Sequence, residues 1–166
     1  MSVKIELLNS SLNKKDFSCG AAMLDNYLHT QASRDVRRKL CAVFVLVDDT
    51  AIKGYYTLSN ASIPAELMPD VIRKKMSGSY KALPVTFPGR LAIDAKFKGQ
   101  GLGSILLIDA LKRSFSVAGE SIGSIGVVVD PLDKDAAAFY KKFGFILLPD
   151  SGKMFLPMAD VALLGL

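Results

Sequence analysis

With 166 residues, half of them apolar, the chain has enough core-forming material for one domain over residues 1–166 and no obvious room for a second. Two cysteines without CxxC spacing, Cys19 and Cys41, and a single histidine exclude a disulfide framework and a metal site, so no metal is expected. The start has no apolar leader and no run approaches about 18 apolar residues, so a cytoplasmic protein is expected. The net charge of +5 is uneven, with +6 over residues 1–100 and −1 over residues 101–166.

In chain order, Val3 to Leu8 alternates as a first strand, and a helix is expected from about Cys19, with Leu24, Tyr27, Leu28 and Gln31 at helical spacing. A basic run, Arg34, Arg37, Arg38 and Lys39, continues or follows it. His29 sits among polar helical residues and reads as solvated rather than as a hydrolase base. Residues 42–47 and 52–61 predict a hairpin, turned at 48–51. Its Tyr55 and Tyr56 point to opposite faces, which suits ordinary sheet packing, and Ser59 and Asn60 suit a polar contact, a bulge or a strand end.

Pro64 to Met76 predicts a short helix with Pro64 in its first turn and a basic end at Arg73, Lys74 and Lys75. Residues 77–84 read as loop, with Lys81 adding charge, and Pro88 makes the next strand begin irregularly. Leu91, Ala92 and Ile93 form a strand end closed by Asp94. A helix is expected over 104–118, with Leu106, Leu107, Ala110 and Leu111 buried and Gly119 ending it. Residues 121–130 read as a parallel strand broken by Pro131, and 133–143 as a helix capped by Gly144. Residues 145–148 and 153–157 form a closing antiparallel pair, and the apolar residues 159–166 dock as a tail helix or meet another subunit.

The stretch GRLAIDAKFKGQGLGS, residues 89–104, carries the first functional signal. Gly99, Gly101 and Gly103 let backbone amides converge just ahead of a helix whose dipole is positive at that end, and Lys98 adds a formal charge at the lip. The chemistry is that of an anion site, and a purely structural turn is the competing reading. A Walker loop is excluded because no GxxxxGK string occurs, and the glycines run GxGxG where a dinucleotide fingerprint needs GxGxxG.

Two segments together resemble the GNAT acetyltransferases: KGQGLG is similar to that family's acyl-CoA pyrophosphate loop, and DKDAAAFYKKFGF is similar to its Asn, x, x, Ala, x, x, x, Tyr, x, x, x, Gly, Phe signature. Lys98 stands where Arg or Gln is usual and keeps the charge. Asp133 stands where Asn is usual and loses the side-chain amide that often holds the pantetheine arm. FSCGAAMLDNYL and KGYYTLSNASI resemble segments of the GNAT toxins of bacterial toxin-antitoxin modules, which narrows the assignment.

The resemblance covers nearly the whole chain and implies an α/β GNAT fold, a mixed and mostly antiparallel sheet with a splayed parallel pair at its centre, flanked by helices. Acetyl-CoA is then the cosubstrate. Its pyrophosphate falls to Lys98, Gly99, Gln100, Gly101, Leu102, Gly103 and Ser104, and its pantetheine to the backbone of Leu91, Ala92 and Ile93 with Asp133 nearby. Tyr140 occupies the family's leaving-group position and is expected to protonate the departing thiolate.

No histidine or glutamate offers itself as a base, which an α-amino group of pKa about 7.7–8.0 needs less than a lysine of about 10.4. With the toxin-like entrance and the basic first hundred residues, that points to aminoacyl-tRNA as acceptor. Arg34, Arg37, Arg38, Arg73, Lys74, Lys75, Lys81 and Arg90 are its candidate contacts. The alternatives are an acetyltransferase for a small amine or a protein N-terminus, and a non-catalytic acyl-CoA or nucleic-acid binding module. A ribbon-helix-helix antitoxin and a homodimer are implied by the resemblance alone.

Overall fold

The computed structural model describes residues 3–166, so the first two residues of the expected domain lie outside it. The chain divides into two compact units, one taking in residues up to Ser59 together with Pro88–Ala110, the other Asn60–Phe87 together with Leu111–Leu166.

In the first unit, β1 (Lys4–Leu7), β2 (Ala42–Asp48), β3 (Ala51–Pro64, which runs on into the second unit) and, further along the chain, β5 (Leu91–Ile93) pair antiparallel in the order β1-β2-β3-β5. Strict alternation gives β2 two apolar faces. Val43, Val45 and Val47 pack with Tyr55, Tyr27, Leu28 and Ala32, while Phe44 and Leu46 pack with Tyr56, Leu106 and Ala110. Tyr55 and Tyr56 are both fully buried, as sheet packing requires. The register slips between Leu46/Val47, where Leu46 faces Gly54 and Val47 faces Ile52, so Lys53 is the extra residue of a bulge.

The first helix is composite. α1 (Ala22–Asn26) passes through a π turn (Tyr27–Gln31) into α2 (Ala32–Arg37), and the widened turn keeps Tyr27, Leu28, Ala32 and Asp35 all buried.

In the second unit, β4 (Ala82–Phe87), β6 (Gly126–Val129), β7 (Ile146–Leu147) and β8 (Met154–Pro157) take the order β4-β6-β8-β7. β4 and β6 are parallel, meeting at Thr86↔Val127, and the other ladders are antiparallel. Ile63, Leu83, Val85, Val128, Leu148 and Phe155 form the core. Gly126 is required by close approach, since a Cβ there would lie 2.4 Å from the Leu156 carbonyl oxygen and 2.5 Å from the Phe155 ring. Gly126→Ala is therefore expected to cost about 3 kcal/mol through overpacking, read as a lower urea midpoint at unchanged slope.

The structure corrects several expectations. β3 continues through Asn60 to Pro64, so Ser59 and Asn60 lie inside a strand rather than at its end. The helix expected over 64–76 is reduced to α3 (Asp70–Arg73) after a 3-10 turn (Ala65–Leu67), because Pro69 forces Met68 into an extended conformation at ψ 143°. Residues 82–84, expected as loop, are strand; Pro84 has no amide to donate, and its carbonyl accepts from the Ile125 amide at 2.9 Å. α4 (Leu102–Glu120) begins two residues earlier than expected and runs through Gly119. α5 (Lys134–Lys142) matches expectation, capped by Asp133 and followed by Gly144 at φ 97°. α6 (Met158–Leu163) buries Val161 and leaves Leu163 82% exposed.

Candidate active site

The site is built on β5. Its bonds to β3 alternate, with the Thr57 amide donating to the Arg90 carbonyl at 3.0 Å and the Asp94 amide to the Lys53 carbonyl at 2.8 Å. In that alternation Ala92, opposite Tyr55, spends its backbone groups on β3, whereas Leu91 and Ile93, opposite Tyr56 and Gly54, turn theirs to the other edge. Among the described residues β5 pairs with no other strand. Two of the three strand residues thus present open backbone donors and acceptors, and Ala92 does not.

Beyond β5, Asp94 caps a 3-10 turn (Ala95–Phe97) and the glycine loop comes next. Gly99 and Gly101 take φ 81° and 78°, the left-handed region, and a Cβ at either would meet nothing within 4 Å. Glycine is needed there for conformation rather than for space. Gly103 belongs to the first turn of α4, so the loop proper has two left-handed residues. The amides of Leu102, Gly103 and Ser104 precede the first α4 bond, from the Ile105 amide to the Gly101 carbonyl at 3.3 Å. The first turn holds no acidic residue, so the positive end of a 19-residue helix stays uncompensated. Gly99, Gln100 and Gly101 are exposed, as is Lys98, whose Nζ donates to the Cys19 carbonyl at 2.6 Å. Alternating left-handed residues ahead of a helix N-terminus make a concave set of amides suited to a diphosphate.

In the second unit, Tyr140 lies in the last turn of α5 and is 8% exposed, its ring against Phe139 and Phe145 at 5.4 and 5.3 Å between centroids. Burial pushes its phenol up to about 12, so it stays protonated through the neutral range. Its hydroxyl makes no hydrogen bond among the described residues, and no side-chain oxygen or nitrogen sealed from solvent lacks a partner, so the hydroxyl reaches the surface. An apolar ring holding a protonated, accessible hydroxyl is what a proton donor to a thiolate requires. Asp133 Oδ1 accepts from the Ala136 amide at 2.8 Å and serves as a helix cap.

The basic residues divide between the units. Arg34, Arg37 and Arg38 are exposed on α2 and just beyond, and Arg34 also donates to the Thr30 carbonyl at 3.0 Å. Arg73, Lys74, Lys75 and Lys81 are exposed in the second unit, and Arg73 pairs with Asp70. Arg90 departs from an open cation: it is half-buried with its guanidinium 3.6 Å from the Tyr27 ring centroid. Tyr27 in turn donates to Asp35 at 2.9 Å, and its phenol is raised by burial and by its bonds to Cys41 and Asp35. His29 Nε2 donates to the Phe17 carbonyl at 2.8 Å, and the residue is half-buried and bonded rather than solvated as the sequence suggests.

Sequence reasoning misses two buried charges near the loop. Asp94 is 2% exposed and Lys53 4%, the latter 3.5 Å from Asp48 and 4.5 Å from the Phe97 ring centroid. A lone lysine in the apolar run AIKGYY is the one signal that could have found the second.

Residues 39–147 match the acetyltransferase (GNAT) domain family, whose members transfer an acyl group from acyl-CoA. The chain belongs to the GNAT acetyltransferases, and its α/β architecture, a mixed sheet with one parallel pair flanked by helices, is theirs. It is 36% identical to the tRNA-acetylating toxin of Mycobacterium tuberculosis (strain ATCC 25618 / H37Rv) over 90% of this chain and 89% of that protein. The structure of AtaT complexed with acetyl-methionyl-tRNAfMet is similar with TM-score 0.90 and 29% identity, covering 99% of this chain and 100% of that one. A mutant AtaT toxin bound to the C-terminus of the antitoxin AtaR and acetyl-CoA matches with TM-score 0.81 and 28% identity, covering 98% of each chain.

Proposed function

We propose that the protein is a toxin that transfers acetyl from acetyl-CoA to the α-amino group of aminoacyl-tRNA and so blocks translation. The observation that carries this reading is the 36% identity, over nearly full length, to a tRNA-acetylating toxin, joined to a left-handed Gly99/Gly101 loop at a helix N-terminus. In the reaction the acceptor nitrogen forms a bond to the acetyl carbon, the carbon–sulfur bond breaks, and the Tyr140 hydroxyl gives its proton to the CoA sulfur. The proton shed by the amine restores the phenol through solvent. The amides of Gly99 to Ser104 hold the diphosphate, Lys98 adds charge, and the open edge at Leu91 and Ile93 pairs with the pantetheine amides. A main-chain donor of that edge receives the developing oxyanion, a contact worth about 3 kcal/mol.

Incubation of the protein with acetyl-CoA and a charged tRNA pool, followed by mass spectrometry of the aminoacyl ends, is expected to show an added acetyl group on the α-amine. Free CoA thiol appearing with small amines or peptides but not with charged tRNA would reassign the acceptor. Exposed Arg37 and Arg38 are assigned to the tRNA backbone. Replacing both with Ala is expected to raise KM for charged tRNA, leave kcat nearly unchanged and flatten the salt dependence by about one to two units of slope.

A cytoplasmic location is part of this proposal. Among the described residues no helix is long and apolar enough to cross a membrane. A ribbon-helix-helix antitoxin and a homodimer complete the proposal, the exposed Leu163, Leu164 and Leu166 of the tail supplying apolar surface for a second subunit.

A further inference from the structure

Asp94 sits between the open-edged strand and the glycine loop, and neither the anion site nor the proton donor uses it. Its buried carboxylate is committed elsewhere. Oδ1 accepts from the Lys96 amide at 2.9 Å, and Oδ2 accepts from the Ser18 amide at 3.2 Å, across 76 positions of sequence. Ser18 returns the contact, its carbonyl accepting from the Ala95 amide at 2.8 Å, and the next carbonyl, that of Cys19, holds Lys98 Nζ. Between them Phe97 lies under the Lys53 ammonium, and the Lys53 carbonyl takes the Asp94 amide.

This stitching matters because the adjoining glycines cannot hold their own shape. A left-handed conformation is open to glycine but not enforced by it, and ordering glycine costs more entropy than ordering any other residue. Gly99, Gln100 and Gly101 are exposed, so the shape of the amide cradle depends on its two ends. α4 anchors one, and residues 94–98 anchor the other.

We propose that Asp94 is a positioning residue for the acyl-CoA loop, fixing the approach to Gly99–Gly103 by holding the Ser18 and Lys96 amides at once. The inference rests on the reading that this loop binds acyl-CoA. The low carboxyl of Asp94 agrees with it: burial works to raise its pKa, yet the Lys96 and Ser18 amides and the Lys96 ammonium hold it below the usual carboxylate range.

Asp94→Asn keeps the shape but turns an NH2 group toward one of the two amide donors. Calorimetric titration with acetyl-CoA alone is expected to show a roughly tenfold weaker Kd, with the Kd for charged tRNA unchanged, a split that general destabilisation would not produce. Asp94→Glu, which keeps the charge but displaces it, is expected to fall between the two, and it replaces the Asn variant should that one not fold. Equal acetyl-CoA affinity in wild type and a folded Asp94 variant overturns the inference, as does an equal loss of both affinities. A wild type that binds no acetyl-CoA overturns the underlying reading and this inference with it.

Discussion

Tyr140→Phe is expected to lower kcat for acetyl transfer to aminoacyl-tRNA by about 100-fold or more, the usual range for loss of a positioned proton donor, with the KM for acetyl-CoA nearly unchanged. The variant isolates chemistry from packing. The contacts of the ring with Phe139 and Phe145 remain and no hydrogen bond is lost, so the unfolding midpoint should stay within measurement error. The pH profile supplies a second test. A phenol raised to about 12 stays protonated well past neutrality, so its falling limb lies above about pH 11. The acceptor amine, with a pKa of about 7.7–8.0, loses its proton as pH rises. Initial rates should therefore climb through about pH 8 and hold level to about pH 9, above which base hydrolysis of the aminoacyl ester limits the measurement. A fully active Tyr140→Phe would remove the role itself.

Gly101→Val is expected to raise the KM for acetyl-CoA by about 10- to 100-fold. A β-branched residue at φ 78° costs roughly 1–2 kcal/mol in place, so the loop relaxes and its amides no longer converge. Each hydrogen bond to a charged group that is lost is worth about 1.5–3 kcal/mol, and about 1.4 kcal/mol is tenfold in affinity. Because a Cβ at Gly101 meets nothing within 4 Å, steric bulk is not the cause, and Gly101→Asn, which tolerates the left-handed region, should lose much less. Equal losses for Val and Asn would show that conformation does not decide the effect.

Local signals account for the features legible in the sequence. Gly99 and Gly101 form the loop that their spacing suggests, and Asp133 and Gly144 delimit α5 at the predicted ends, because caps and glycine turns depend on a few neighbouring residues. The alternation of AVFVLV likewise places Val43 and Val45 on one face and Phe44 and Leu46 on the other. Prolines mislead in both directions. Pro64 reads as a helix start and lies at a strand end, while Pro84 reads as loop and lies within β4, where its carbonyl still finds a donor.

By itself the sequence determined the glycine loop and the helix bearing Tyr140, since both are written in residues close together along the chain. Only the tertiary structure decided that Leu91 and Ile93 but not Ala92 face the open edge, that Arg90 is stacked on Tyr27, and that Asp94 is held by an amide from Ser18. The physical reason is common to all three. Each depends on which distant segment pairs with or packs on β5 and its flanks, and that choice is made by the burial of whole faces, which no local pattern records.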